Sequence, residues 1–266
     1  MIRVVKTIAL FLNIILCIAV LFFVRIIFFR SGLRRIRITA GIVRISSKLM
    51  VRILGIKINL VGHKEFLKEE GIFFVSNHLS YIDGVTISSL WPLVFIGRSD
   101  LKEWPLFGAL TTLSDTIFVN RINYSNIKLE LERIISVLRA GANVILFPEG
   151  TSTDGKELLP FKTSFFEAPL KAGCKIVPLA IRYLRVNGQA VSEKNQDMVY
   201  WYGDMYFFPH LIGVLGLKEI QLEVKVFEPL KTGEINGESF SFQRKYVGNA
   251  CKEIINNHLN HHEAKK

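Results

Sequence analysis

The chain opens on an apolar run. From Thr7 to Val24 no residue is charged, and Ile, Leu, Phe, Ala and Val fill most positions. Arg25 interrupts and residues 26–29 resume the run. The length lies at the lower edge for a helix that crosses a bilayer, and Arg25 can snorkel to an interface. A cleaved leader competes with an anchor, since Arg3 and Lys6 make a basic start. The long apolar part and the lack of a small-x-small cleavage site point to an anchor. Residues 36–58 have another rhythm: Ile42, Ile45, Leu49, Ile53 and Ile56 recur at spacings of three and four, with Arg44, Lys48 and Arg52 on a second stripe. This predicts a basic amphipathic helix, lying in the membrane interface or packed on the following domain. The two segments either span the membrane or form a hairpin sunk in one leaflet.

Beyond a short link at Leu60 to Gly62, short apolar runs alternate with helical periods. Strands are predicted at 72–75, 93–96, 116–121, 143–147, 175–181 and 221–226. Pro178 argues that the fifth of these is an edge strand or carries a bulge. Helices are predicted to end near Leu90, over 125–140 with exit at Gly141, and over 240–258. Pro105 and Gly108 break regular structure between 97 and 108. This alternation predicts an α/β fold, a central mixed sheet flanked by helices, preceded by a membrane-anchoring helical segment. The expected layout is an anchor over 1–58, a catalytic domain over 59–258 and a polar tail over 259–266. In that tail region His258, His261 and His262 have a metal-like spacing, but a mobile tail is the simpler reading.

The first strand stops at Ser76-Asn77-His78, and polar groups just past a strand end are where α/β folds place chemistry. Asp83 follows at a distance that would turn it about 140° away on a continuous helix. The two meet only if the chain bends between them, with His78 on a loop and Asp83 in the first helical turn. Asp83 could then fix the imidazole tautomer and leave the other nitrogen as a base. Arg121 ends the 116–121 strand with a planar fork suited to phosphate. Pro148-Glu149-Gly150-Thr151 ends the 143–147 strand. Gly150 permits unusual dihedrals, Thr151 can donate to a polar ligand, and Glu149 either accepts from a ligand hydroxyl or holds the loop. The aromatic group Trp201, Tyr202, Phe207 and Phe208 covers an acyl groove, rests on lipid, or is a packed loop.

Half of the 266 residues are hydrophobic, twenty are phenylalanine, and the formal net charge is +11. Basic charge on a hydrophobic chain favours an anionic membrane surface over nucleic acid. Cys17, Cys174 and Cys251 are widely spaced and suggest neither a disulfide framework nor a zinc site. Arg25, Arg30, Arg34, Arg35 and Arg37 outnumber the charges before them, placing the body on the cytoplasmic side.

Asn77-His78-x4-Asp83, Phe118-Val119-Asn120-Arg121, Phe147-Pro148-Glu149-Gly150-Thr151 and Ile176-Val177-Pro178 occur in this order, and together resemble the four motifs of the glycerolipid acyltransferases. The resemblance covers roughly residues 58–226. It implies transfer of a fatty acyl group from acyl-CoA or acyl carrier protein to the hydroxyl of a lysophospholipid, with 1-acylglycerol-3-phosphate as the default acceptor. His78 would be the general base and Asp83 its orienting partner, with direct attack and no acyl-enzyme. Gly-x-Ser-x-Gly is absent, in keeping with that. Arg121, Glu149, Gly150, Thr151 and Asn77 would bind substrate, with Lys102 and Lys162 as further candidates; Lys102 equally suits a solvated loop. No bound cofactor or metal is implied, and the setting would be a bacterial inner membrane.

Ser152-Thr153-Asp154-Gly155 departs from the family pattern, which often has a basic residue there. Ser164 stands where glycine is common after Phe161-Lys162. Both variants resemble a bacterial subgroup that includes lyso-ornithine lipid acyltransferases, which makes that lysolipid the alternative acceptor. A non-catalytic membrane adaptor and a lipid hydrolase are the competing functions.

Overall fold

The structure is a computed structural model that describes residues 2–104, 106–119, 127–231 and 237–263. Two helices come first, α1 (Ile2–Ile27) and α2 (Gly32–Leu54). They form a hairpin docked on an α/β domain. Strands β1 (Ile56–Gly62), β2 (Phe73–Ser76), β3 (Leu93–Arg98), β4 (Ile117–Val119), β5 (Asn143–Leu146), β6 (Ile176–Val186), β7 (Gln189–Ala190) and β8 (Ile220–Val226) make one sheet in the described residues. Its order is β1-β8-β6-β2-β5-β3-β4, with β7 added to β6. β6 runs antiparallel to β7 and β8, and the other neighbours are parallel. The sheet is therefore mixed.

β2 and β5 are buried at every position, because helices cover both faces and the strands need apolar residues on each side. Alternation divides them between two cores. Phe74, Ile145, Leu179 and Ile181 face α3 (Tyr81–Leu90) and α7 (Phe207–Leu215), whereas Phe73, Val75, Val144 and Leu146 face α5 (Ile127–Arg139) and α8 (Phe240–Glu263). Two short helices, α4 (Phe107–Leu113) and α6 (Glu167–Ala172), complete the domain.

Helix α1 is long and apolar enough to cross a membrane by length and composition, and it is fastened to the domain at both ends. Lys6 Nζ donates to Leu54 O (3.2 Å) and Leu217 O (2.7 Å), Asn13 Nδ2 donates to Ser46 O (3.2 Å), and Arg25 donates to Thr112 O (3.3 Å). One stripe, Leu10, Asn13, Ile14, Cys17 and Leu21, is buried, while Ile8, Leu12, Ile15, Leu16 and Phe23 stay exposed. Helix α2 is pinned by Arg35, which makes two hydrogen bonds (3.0 and 2.7 Å) to the buried carboxylate of Asp115. Its packed face is Ile36, Thr39, Ala40, Ser47 and Met50; Ile45 and Leu49 of the anticipated apolar stripe point outward.

Several expectations change. The helix predicted over 36–58 starts and stops earlier. Gly55, at φ 74°, ends it and donates to Arg52 O and Val51 O. Ile56 to Gly62, expected as helix end and link, is edge strand β1, paired with β8. Pro178 lies in an interior strand, and that strand carries an irregularity at Tyr183 to Arg185 in its pairing with β8. The proline is tolerated there because the β6–β8 ladder ends at Leu179–Val226, so Pro178 need only accept, taking Phe227 N–H at 3.1 Å. The 97–108 segment holds a 3-10 turn at Ser99–Glu103 and the start of α4. Helix α8 runs on to Glu263, past residue 258. His258 Nε2 lies 3.2 Å from Glu223 Oε1, so its partner is a carboxylate on β8.

Candidate active site

β2 and β5 are adjacent and parallel, so their carboxyl ends open side by side. Backbone pairing of β2 with β6 stops at Ser76–Leu179. Asn77 then carries it on with its side chain: Nδ2 donates to Ile181 O (3.0 Å) and Oδ1 accepts from Ile181 N (2.8 Å). The amide is fully buried and committed to β6. These two bonds fix where the next residue stands.

That residue is His78. Its N–H donates to Glu149 Oε1 (2.8 Å) and its carbonyl accepts from Thr153 N (3.0 Å). The ring stacks on Phe147 at 4.2 Å between centroids and 21° between planes. Nδ1 lies 3.0 Å from Asp83 Oδ2, and the side chain keeps 22% of its exposure. The chain bends as the spacing requires. Ser80 caps α3, and Asp83 reaches back from its first turn to close a capping box.

Asp83 is fully buried. Its Oδ2 accepts from Leu79 N (2.6 Å), Ser80 N (2.8 Å) and His78 Nδ1, and its Oδ1 accepts from the Tyr183 hydroxyl (2.7 Å). These donors satisfy oxygens that burial would otherwise leave without partners. An acceptor-only Asp83 requires the proton on His78 Nδ1, which leaves Nε2 with the lone pair. Burial, followed by the charge of Asp83, pushes the Tyr183 hydroxyl far above its ordinary range and keeps it a donor.

The Pro148-Glu149-Gly150-Thr151 turn faces this pair. Both Glu149 oxygens are occupied, by His78 N and by Leu159 N (3.1 Å). Burial raises its carboxyl pKa, and these two donors oppose the rise. Through these two bonds Glu149 ties the His78 loop to Leu159. Gly150 has φ 80° and donates to Phe147 O (3.1 Å), closing the turn. Thr151 is exposed beside it. Lys162 holds the loop through its backbone, donating to Pro148 O (2.9 Å), with its side chain outward. Lys102 sits with its ammonium 4.6 Å from the ring centroid of Phe118 on edge strand β4. Arg121 lies outside the described residues.

An aromatic wall borders the site. Tyr81, the first residue of α3, meets Phe207 and Trp201 edge to face at 5.0 and 6.1 Å, and Trp104 meets Phe207 at 5.4 Å. Trp201 N–H donates to Leu79 O (2.9 Å), tying this wall to the His78 loop. Burial keeps the Tyr81 hydroxyl protonated and His210 below its ordinary pKa, so Tyr81 donates to neutral His210 Nδ1 at 3.0 Å.

Tyr183 was not anticipated. The signal was present, since it shares the inward face of β6 with Leu179 and Ile181, and a buried tyrosine hydroxyl needs a polar partner.

A carboxylate-oriented histidine past a strand end of a mixed α/β sheet is an arrangement that can take a proton from a hydroxyl. The family model described as Acyltransferase matches residues 57–182. The chain is 36% identical over 192 residues to the lyso-ornithine lipid O-acyltransferase of Brucella abortus, covering 69% of this chain and 70% of that one. It therefore belongs to the acyltransferase family. It is also 29% identical over 154 residues to the 1-acyl-sn-glycerol-3-phosphate acyltransferase of Neisseria gonorrhoeae, 58% of each chain. The crystal structure of the 1-acyl-sn-glycerophosphate acyltransferase PlsC from Thermotoga maritima shares the fold, with a TM-score of 0.61 and 19% identity over 98% of both chains.

Proposed function

We propose that this chain transfers a fatty acyl group from an acyl-CoA or acyl carrier protein thioester to the free hydroxyl of lyso-ornithine lipid. The observation that carries the chemistry is the Tyr183–Asp83–His78 hydrogen-bonded chain. His78 Nε2 removes the acceptor proton as the oxygen attacks the thioester carbonyl. The carbon–sulfur bond breaks, and the imidazolium returns its proton to the leaving thiolate. Asp83 holds the tautomer and stabilises the transient cation.

The acceptor reading rests on the 151–155 loop. Thr153 N–H donates to the carbonyl of His78 itself, and where related chains often carry a cation after the Thr this loop has Ser152 and gains Asp154, whose carboxylate accepts from Lys156 N (3.2 Å) and lies 3.9 Å from Lys156 Nζ. An ornithine head group presents an ammonium to such a carboxylate. The relative from Brucella abortus, named for that substrate, points the same way. A second reading, 1-acylglycerol-3-phosphate, is favoured by the Neisseria relative and would draw on Arg121 for the phosphate. Arg25, Arg30, Arg34, Arg35 and Arg37, clustered around the connection between α1 and α2, favour the cytoplasmic side for the catalytic domain.

The test is a competition assay with purified full-length protein, one acyl thioester and both lysolipids at equal concentration. The proposal expects preferential acylation of lyso-ornithine lipid. Exclusive acylation of lysophosphatidate would move the acceptor to the second reading.

A further inference from the structure

Helix α7 departs from the pattern of the other surface helices. α5 keeps Lys128, Glu132, Arg133 and Arg139 on its outer side, as a water-facing helix does. From Tyr206 to Gly216 the chain has no Asp, Glu, Lys or Arg. Its inner side, Phe207, Leu211, Val214 and Leu215, is buried, yet the outer side is apolar too. Tyr206 is 83% exposed, Phe208 49% and Ile212 51%. Apart from His210, which is turned to the Tyr81 hydroxyl, the helix is apolar on both sides, and such a helix belongs inside protein or in lipid.

Its neighbours indicate which. The C-terminal end of α7 abuts the start of α1: Lys6 donates to Leu217 O at 2.7 Å and the Arg3 guanidinium lies against Gly216. α7 thus packs against α1, which itself exposes Ile8, Leu12 and Ile15, and Arg3 and Lys218 supply basic charge for anionic head groups at the junction. At its other end Phe207 packs on Tyr81, Trp104 and Phe107 (5.0, 5.4 and 4.8 Å), and Tyr81 begins the helix that carries Asp83.

We infer that α7 is a second membrane-inserting element, which seats Tyr206, Phe208 and Ile212 in the acyl-chain region of an anionic leaflet, and that lysolipid reaches His78 along the wall of Tyr81, Trp104, Trp201 and Phe207. Insertion itself is independent of the reaction; the route for the acceptor rests on the function proposed above.

The experiment uses the full chain and phosphatidylglycerol vesicles with brominated acyl chains, which quench nearby tryptophans. Trp104 and Trp201 fluorescence is quenched in the wild type. The Phe208→Glu/Ile212→Glu variant, still tethered by α1, loses most of that quenching. The inference is overturned if the quenching is unchanged, or if the variant alters self-association instead. Phe208→Trp keeps the face apolar and reports without an added charge: the new fluorophore is quenched if α7 inserts, and its remaining unquenched contradicts insertion. A second arm compares acyl transfer to lysolipid in vesicles with transfer to a monomeric short-chain lysolipid. The double variant loses about tenfold on vesicles and nothing on the monomer; equal loss on both contradicts the route. If the wild type transfers no acyl group, the proposed function falls while quenching still decides insertion.

Discussion

The Tyr183 hydroxyl donates to Asp83 Oδ1 at 2.7 Å, on the oxygen opposite the one that meets His78 Nδ1. The base is thus the outer end of a relay that starts inside strand β6, a hundred residues downstream in sequence. Removing the inner donor leaves a fully buried carboxylate oxygen unpaired. Tyr183→Phe should lower stability by about 1–3 kcal/mol, read by chemical denaturation. Its turnover should fall with the acceptor KM unchanged, because no atom that meets substrate is altered.

Asp83→Asn tests the tautomer directly. An amide in place of the carboxylate can present a donor to His78, favouring the proton on Nε2, where the base is needed. Loss of about 10⁴-fold in kcat is expected, by analogy with the same substitution in a catalytic triad. A folded Asp83→Asn protein with near-normal turnover would contradict the assignment.

Asp154→Asn should act on selectivity. If the carboxylate meets the ornithine ammonium, its loss lowers kcat/KM for lyso-ornithine lipid by about tenfold or more, with little change for lysophosphatidate. A parallel loss on both acceptors would show that Asp154 only shapes the loop.

The Arg35–Asp115 pair ties the hairpin to the start of β4 through a buried carboxylate. Asp115→Ala leaves Arg35, itself only 15% exposed, without that partner. The expected destabilisation is about 3–5 kcal/mol, measured as a shift in denaturation midpoint in detergent. Arg25, which lies 4.0 Å from the same carboxylate, loses a second tie.

His210 gives a pH signature. Its folded pKa is depressed by burial, so protonation favours the unfolded chain. Its contribution to stability is present above about pH 6.5, the ordinary histidine value, and is lost as pH falls through the folded pKa. The stability advantage of wild type over His210→Leu should therefore shrink on acidification from pH 7.5 to about pH 5.5. A constant difference across that range would contradict the assignment of His210 as a buried neutral acceptor of Tyr81.

Much of this was legible in the sequence because the sheet is covered on both sides. Uninterrupted apolar runs ending in Ser76-Asn77-His78 and in Pro148-Glu149-Gly150 marked β2, β5 and the loops that meet between them. The bend between His78 and Asp83 followed from helix geometry alone. What was missed depended on distant partners. Tyr183 and Asp83 are brought together by the crossover from β2 to β6, which no local pattern encodes. Asn77 has the same polarity whether it faces a ligand or completes a ladder, and only the position of Ile181 decides. β1 was hidden because Ile53, Ile56 and Ile58 prolong the helical apolar spacing, although Gly55 carried the stop signal. α4 was hidden by Gly108, read as a breaker; the structure needs glycine there because the chain passes close to the Lys102 carbonyl.

The most direct test of the central claim is acyl transfer by purified His78→Ala beside the wild type, with a labelled acyl thioester and lyso-ornithine lipid in mixed micelles. The account predicts a fall of about 10²–10⁴-fold in a variant that keeps the wild-type denaturation midpoint. Wild-type turnover by that folded variant would remove His78 as the base, and with it the mechanism.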